Sequence, residues 1–227
     1  MYTLYIANKN YSSWSLRPWV LLKERGISFE ESQVVFSAGS NWDKFRKFCP
    51  SGLVPCLVDG EQTVWDSLAI AEYLAEKHPG VWPQDTKART WARCAAAEMH
   101  SGFSALRNLC PMNCAIRVQL NEVSDALQQN VSRLDELLGE GLDRFGGPFL
   151  TGKEFTAVDA FYAPVAFRVQ TYGLQLSKEV TAYFNRVLAL PSIRDWQASA
   201  YKEPWLDEAH EEEAREVGTV TQDFRSI

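Results

Sequence analysis

No run of about 18 apolar residues occurs anywhere in the 227-residue sequence, so no helix of bilayer-spanning length is expected. The opening Met1-Tyr2-Thr3-Leu4-Tyr5 lacks a basic stretch followed by an apolar one, so a secretory leader is not expected either. Blocks of basic residues are missing as well. With 23 Lys+Arg against 29 Asp+Glu, the net charge is −6, which argues against nucleic acid as a partner. Histidine is scarce: His78, His100 and His210 are the whole set. The five cysteines (Cys49, Cys56, Cys94, Cys110, Cys114) form no C-x-x-C pair. Cys110 and Cys114 have too few imidazoles near them to complete a four-ligand zinc set. An odd, scattered set of thiols reads as reduced, and a cytoplasmic location is expected. Internal repeats and low-complexity tracts are absent. What remains is 46% apolar and 23% charged, the balance of a chain that buries a core. The length allows one large domain or two small ones.

The first 80 or so residues alternate strand and helix signals. Thr3–Ala7 reads as a buried strand, and Ser15–Arg25 as a helix stopped by Gly26. Phe29–Phe36 reads as a strand, Asn41–Phe48 as a short irregular helix and Leu53–Val58 as a third strand. Asp59-Gly60 predicts a tight turn into Thr63–Trp65, and Ser67–His78 predicts a helix closed by Pro79-Gly80. From about Pro83 onward strand signals largely vanish. Helical patterns cover Lys87–Cys110, Asn121–Leu138, Ala157–Tyr172 and Lys178–Leu190, with a shorter one after Pro191. The charged tail Asp207–Ile227 is expected on the surface. The composition shift near Val81–Asp85 reads as a linker, giving an α/β domain over 1–80, a linker over 81–86 and an all-α domain over 87–227.

Four short stretches carry the chemistry. In Tyr11-Ser12-Ser13-Trp14-Ser15-Leu16-Arg17-Pro18, proline belongs in the first turn of a helix. That turn therefore starts near Ser13–Ser15 and aims its N–H groups at the loop holding Ser12, where an anion or a thiolate is stabilised. The plainer reading is that Ser13 or Ser15 is an N-cap. In Ser51-Gly52-Leu53-Val54-Pro55, a proline at the entry of an apolar strand suits a cis Val54–Pro55 bond. The Val54 N–H and C=O would then pair with an extended peptide. A trans proline at strand entry is the other reading. In Asp66-Ser67, Ser67 caps a helix while Asp66 offers an anion, a pairing suited to the zwitterionic end of an amino acid. The alternative is a capping pair and nothing more. Thr156-Ala157-Val158-Asp159 has the spacing of a capping box and reads as a folding signal.

These four stretches, in this order and spacing, resemble the glutathione transferase superfamily over nearly the whole chain. The resemblance implies a thioredoxin-like N-terminal domain, a helical-bundle C-terminal domain, glutathione as cofactor and a homodimer. Within the superfamily, Ser12 to Arg17 is similar to the serine-type loop S-S-C-x-x-R of the zeta class, which includes maleylacetoacetate isomerases. Trp14 stands where that class has cysteine, Trp19 where it has a second basic residue, and Leu53 where several classes have lysine. The resemblance makes Ser12 the catalytic residue, a hydrogen-bond donor to the glutathione sulfur. It places Ser12, Ser13, Trp14, Leu53, Val54, Pro55, Asp66 and Ser67 at the glutathione site, with no metal.

The implied reaction is conjugation of the glutathione thiolate to a small electrophile held against the helical domain. An alternative is cis–trans isomerisation of a conjugated diacid, for which Arg17 and Arg168 are the candidate cations; Arg168 also reads as a surface or interface residue. A second alternative is a binding module that has lost catalysis. Thiol–disulfide exchange is disfavoured, because Ser12 and Ser15 stand where a thioredoxin carries its two cysteines, and a hydroxyl forms no mixed disulfide.

Overall fold

The computed structural model describes residues 1–225, and Ser226 and Ile227 lie outside the described residues. The N-terminal part is a four-stranded sheet in the order β2-β1-β3-β4. Strands β1 (Tyr2–Ile6) and β2 (Phe29–Gln33) run parallel, joined through helix α1 (Ser13–Glu24). Strand β3 (Cys56–Asp59) lies antiparallel to β1, and β4 (Gln62–Trp65) turns back on it through Gly60, whose φ of +60° suits glycine. Helices α2 (Trp42–Phe45) and α3 (Ser67–Lys77) complete the unit. Every second residue of β1 is buried, because side chains alternate across a strand: Tyr2, Leu4 and Ile6 point into the core that Leu16, Val20, Ile70 and Leu74 supply from α1 and α3.

The remainder is helical: α4 (Thr86–Ser101), α5 (Ser104–Leu109), α6 (Asp125–Phe145), α7 (Ala157–Tyr172), α8 (Lys178–Ala189), α9 (Pro191–Tyr201) and α10 (Glu208–Val217). Helix α7 is buried along nearly its whole length, and it packs against α1, α4 and α8. Its first turn carries the expected capping box. Thr156 N–H donates to Asp159 Oδ2 at 2.9 Å, and Asp159 Oδ1 also accepts from Leu150 N–H and the Tyr183 hydroxyl. Among the described residues no helix is long and apolar enough to cross a membrane.

Three expectations for this part need correction. The pattern over Lys87–Cys110 is two helices, broken at Gly102-Phe103. A Cβ on Gly102 would lie 2.7 Å from the Glu98 carbonyl, and Phe103 adopts a left-handed φ of +53°. The next helix starts at Asp125, where Ser124 caps it, and runs on to Phe145; the residues before it form strand β5 (Ile116–Leu120). That strand pairs antiparallel with β6 (Gly218–Asp223), so the helical domain carries a two-stranded ribbon that an all-α reading omits. The described part of the tail is accordingly ordered against the body. Glu211 and Ala214 are buried in it, because a strand pairing from 100 residues away leaves no local signal.

Candidate active site

The site begins with the loop between β1 and α1, which the far end of the chain holds in place. Glu203 accepts the Lys9 and Asn10 N–H groups, the Trp196 indole donates to the Lys9 carbonyl at 2.8 Å, and the Cys114 N–H donates to the Asn10 carbonyl. Ser12 N–H is tied to the Asn8 carbonyl at 2.9 Å. Ser12 is therefore presented at the start of α1, where it is the N-cap residue by position but makes no side-chain cap bond. Its Oγ lies 2.7 Å from Ser15 Oγ, which in turn accepts from Ala7 N–H at 3.2 Å. Neither Ser13 nor Ser15 is the N-cap: Ser13 is already helical, and Ser15 is fully buried beneath Ser12. Pro18 sits a turn deeper than its residue type predicts, inside α1.

The second element is the loop before β3. The Val54–Pro55 bond is cis. Gly52 at φ +64° lies so close to the Trp42 ring that a Cβ would meet it at 2.4 Å. Leu53 is 64% exposed. Among the described residues, neither the N–H nor the C=O of Val54 has a hydrogen-bond partner, which leaves both free for an incoming chain.

At the start of α3, Asp66 and not Ser67 is the N-cap. Its Oδ1 accepts from Leu68 N–H at 2.8 Å, and Asp66 takes a positive φ of 70°, an uncommon conformation for an aspartate. The carboxylate has the reach to bond the second helical N–H while Ser67 is already in helical geometry. Ser67 Oγ accepts from Arg17 Nη1 at 3.3 Å. Asp66 Oδ2 is 3.5 Å from His100 Nε2 of α4. Burial and the nearby Arg17 and Arg107 hold the His100 imidazole below its usual pKa, although Asp66 pulls the other way.

Two adjoining cavities gather these groups. One, of about 480 Å³, is lined by Trp14, Ser51, Leu53, Val54, Pro55, Trp65, Asp66 and Ser67. The other, of about 260 Å³, contains Ser12 and Ser13 and shares Trp14, Leu53 and Val54 with the first; Phe36, Phe45, Met112, Arg107, Arg168 and His210 also line it. All eight residues singled out from the sequence thus lie on one continuous surface. A larger and more open cavity of about 610 Å³ lies at the other end of β1, beside Tyr2, Asp59 and His78.

Positive charge dominates the junction. Arg17, Arg107 and Arg168 have no carboxylate partner among the described residues. The Trp14 ring lies under two of them, with Arg17 4.1 Å and Arg107 4.9 Å from its centroid. Burial, then repulsion by Arg107 and Arg168, brings Arg17 down to about 9; burial brings Arg168 down to about 10. Arg17 is only 3% exposed and its Nε has no partner; it lies behind Trp14 and lines neither cavity. Arg168 is 6% exposed and buried, not the surface residue its sequence context suggests. It donates to the Arg107 and Cys110 carbonyls and to Ser13 Oγ at 3.3 Å. Burial pushes the Cys110 thiol up to about 12, so it is no nucleophile near neutral pH.

Residues 11–77 match the family model described as glutathione S-transferase, N-terminal domain, and residues 119–202 match glutathione S-transferase, C-terminal domain. A zeta class glutathione S-transferase of Euphorbia esula is 33% identical over 157 residues, which is 67% of this chain and 70% of that one. The chain belongs to the glutathione S-transferase family. It is an enzyme of that family, whose co-substrate is glutathione. A probable maleylacetoacetate isomerase of Caenorhabditis elegans is 27% identical over 81% of this chain and 85% of its own length. Among solved structures, a glutathione transferase homolog from Burkholderia with bound glutathione superposes with a TM-score of 0.64. It is 26% identical, over 88% of this chain and 97% of that one.

The structure adds residues to the candidate site that sequence reasoning missed. Arg107, Phe36, Phe45, Met112 and His210 line the smaller cavity, and His100 stands beside Asp66. They come from six separate elements and loops, and no spacing in the sequence links them to Ser12.

Proposed function

We propose that this transferase conjugates the thiolate of glutathione to small electrophiles, with the 1–80 domain holding glutathione and the 87–227 domain holding the electrophile across a linker at 81–86. The observation that carries this reading is the unpaired Val54 backbone. It lies between a carboxylate-and-hydroxyl pair, Asp66 and Ser67, and a hydroxyl at a helix start, Ser12. A tripeptide laid along Val54 extends its γ-glutamyl end to Asp66 and Ser67 and its thiol toward Ser12. Trp14, Leu53 and Pro55 wall the path, and Ser13 lies beside Ser12.

The thiol must lose its proton near neutral pH. Lowering a thiol pKa of ~8.5 by ~2 units takes about 2.7 kcal/mol. A hydrogen bond to a charged group contributes roughly 1.5–3 kcal/mol, and a helix N-terminus about 0.3–1. Hydroxyls both donate and accept. Two O–H rotations therefore convert the Ser12–Ser15 contact into a chain in which Ala7 N–H donates to Ser15, Ser15 to Ser12 and Ser12 to sulfur. The arginines at the junction add a field of the right sign.

A second reading has support in the same cavity. Arg107 and Arg168 line it without carboxylate partners, as an acidic substrate requires, and the reaction would be cis–trans isomerisation of a conjugated diacid through a reversible thiolate adduct. Rates on an aryl halide and on a maleyl-type diacid separate the two: turnover of the diacid alone overturns the conjugation reading. A protein that neither turns over nor binds immobilised glutathione overturns both.

We also infer a homodimer in the cytoplasm. Trp42, Leu53 and Trp65 are large, exposed and close to the glutathione cavity, the kind of apolar rim a second subunit covers.

A further inference from the structure

The chain beyond residue 202 lies past the matched C-terminal family segment, yet it returns to the loop that presents Ser12. Asp207 caps α10 and its Oδ1 lies 2.8 Å from His210 Nδ1. The imidazole is stacked between two rings, Tyr11 at 5.1 Å and Phe36 at 5.2 Å between centroids, each tilted by 23°. Tyr11 is the residue before Ser12. Glu211, the next residue along, is buried and fixes the segment. It accepts from the Tyr11 hydroxyl at 2.7 Å, from Asn113 at 3.0 Å and from both Nη atoms of Arg225. His210 and Ser12 line the same 260 Å³ cavity, and His210 Nε2 has no hydrogen-bond partner among the described residues.

We propose that His210, oriented by Asp207, carries the proton when the glutathione thiol adds to a conjugated carbon–carbon double bond; this rests on the glutathione-conjugation reading above. A carboxylate on Nδ1–H fixes the tautomer and leaves the Nε2 lone pair facing outward. The thiol proton passes to Nε2, and Ser12 and the start of α1 hold the thiolate. Sulfur then bonds to the β-carbon, the π pair moves to the α-carbon, and the imidazolium returns the proton there. The S–H and π bonds are broken, S–C and C–H bonds are formed, and no oxidant or other co-reactant is needed.

The test compares two electrophile classes. Substitution on an aryl halide expels halide and needs no proton delivered to carbon, whereas addition to an α,β-unsaturated carbonyl does. In His210→Gln the ratio of addition to substitution rates is expected to fall by about 10²-fold, the scale of a positioned acid–base group. Asp207→Asn should shift the ratio the same way by less, and it carries the test if His210→Gln does not fold. A solvent deuterium isotope effect on addition should be present in wild type and lost in His210→Gln. Parallel loss of both rates, or no change in either, shows that His210 does not return the proton to carbon and overturns the proposal. Wild-type enzyme that performs neither reaction overturns the conjugation reading itself, and this proposal with it.

Discussion

Ser12 and Ser15 share one hydrogen bond, and that changes what each substitution should do. Ser12→Ala removes the donor nearest the sulfur. The bound thiol should titrate about one to two pKa units higher, the equivalent of roughly 1.5–3 kcal/mol. Conjugation at neutral pH should fall by about 10- to 100-fold and recover in part as pH rises, with glutathione binding held within a few-fold. Thiolate absorbance of the complex against pH reads this directly. Ser15→Ala should be the costlier change for stability. It strips the acceptor from the buried Ala7 N–H, and an orphaned buried donor costs roughly 1–3 kcal/mol. Ser13→Ala loses only its contact with Arg168 and should change least. If Ser12→Ala titrates like wild type while Ser13→Ala is shifted, the donor is Ser13. Arg168 tests the second reading: Arg168→Gln should depress turnover of a diacid at least about tenfold more than that of an uncharged aryl halide, about 1.4 kcal/mol. Equal losses would remove Arg168 from substrate recognition.

At the level of elements, helix α7 and the ribbon make separate predictions. Asp159 is fully buried and accepts four hydrogen bonds, yet burial outweighs them and raises its pKa to about 6, against an ordinary 3.8. A folded-state pKa above the unfolded one means that the native protein binds the extra proton. Stability from this group is therefore fully present below about pH 4 and declines as pH rises through about 6. Denaturant midpoints measured from pH 4 to 7 should show that slope in wild type and not in Asp159→Asn. The ribbon bears on the active site through Arg225. Ending the chain after Val217 deletes β6 and Arg225 together, and leaves Glu211 buried with only Tyr11 and Asn113 as donors. Amide exchange across residues 8–12 should then quicken, whereas the cap of α7, on another part of the domain, should keep its protection. Unchanged exchange at the loop would show that Glu203 and Trp196 suffice to hold it.

For the whole molecule, the site stands where two units meet. Helices α1 and α7 pack on each other, one core runs through both parts, and the residues that hold the Ser12 loop lie up to 200 positions away. Unfolding should accordingly be one cooperative transition, with coincident curves by far-UV dichroism and tryptophan fluorescence. Sedimentation at micromolar concentration should give twice the mass of one chain, and a single-chain mass would refute the dimer.

The α/β and helical halves could be read directly from the sequence, because their signals are local: apolar period, turn residues and caps. The sequence pattern placed Ala157–Tyr172 within its structural bounds, with Thr156 as its start signal, and the eight residues expected at the site do line adjoining cavities. Periodicity did not reveal the break at Gly102, since a helix that ends and resumes on the same face keeps its apolar spacing. Nor could it reveal the β5–β6 pairing, whose hydrogen bonds join segments about 100 residues apart. Asp66 took the cap from Ser67 because a side chain's reach depends on its backbone angle, here a positive φ. The burial of Arg168 and the seat of His210 between Tyr11 and Phe36 were decided by tertiary packing alone. An arginine or histidine reads as a surface residue in sequence until the chain folds and supplies the carbonyls or rings that replace its water.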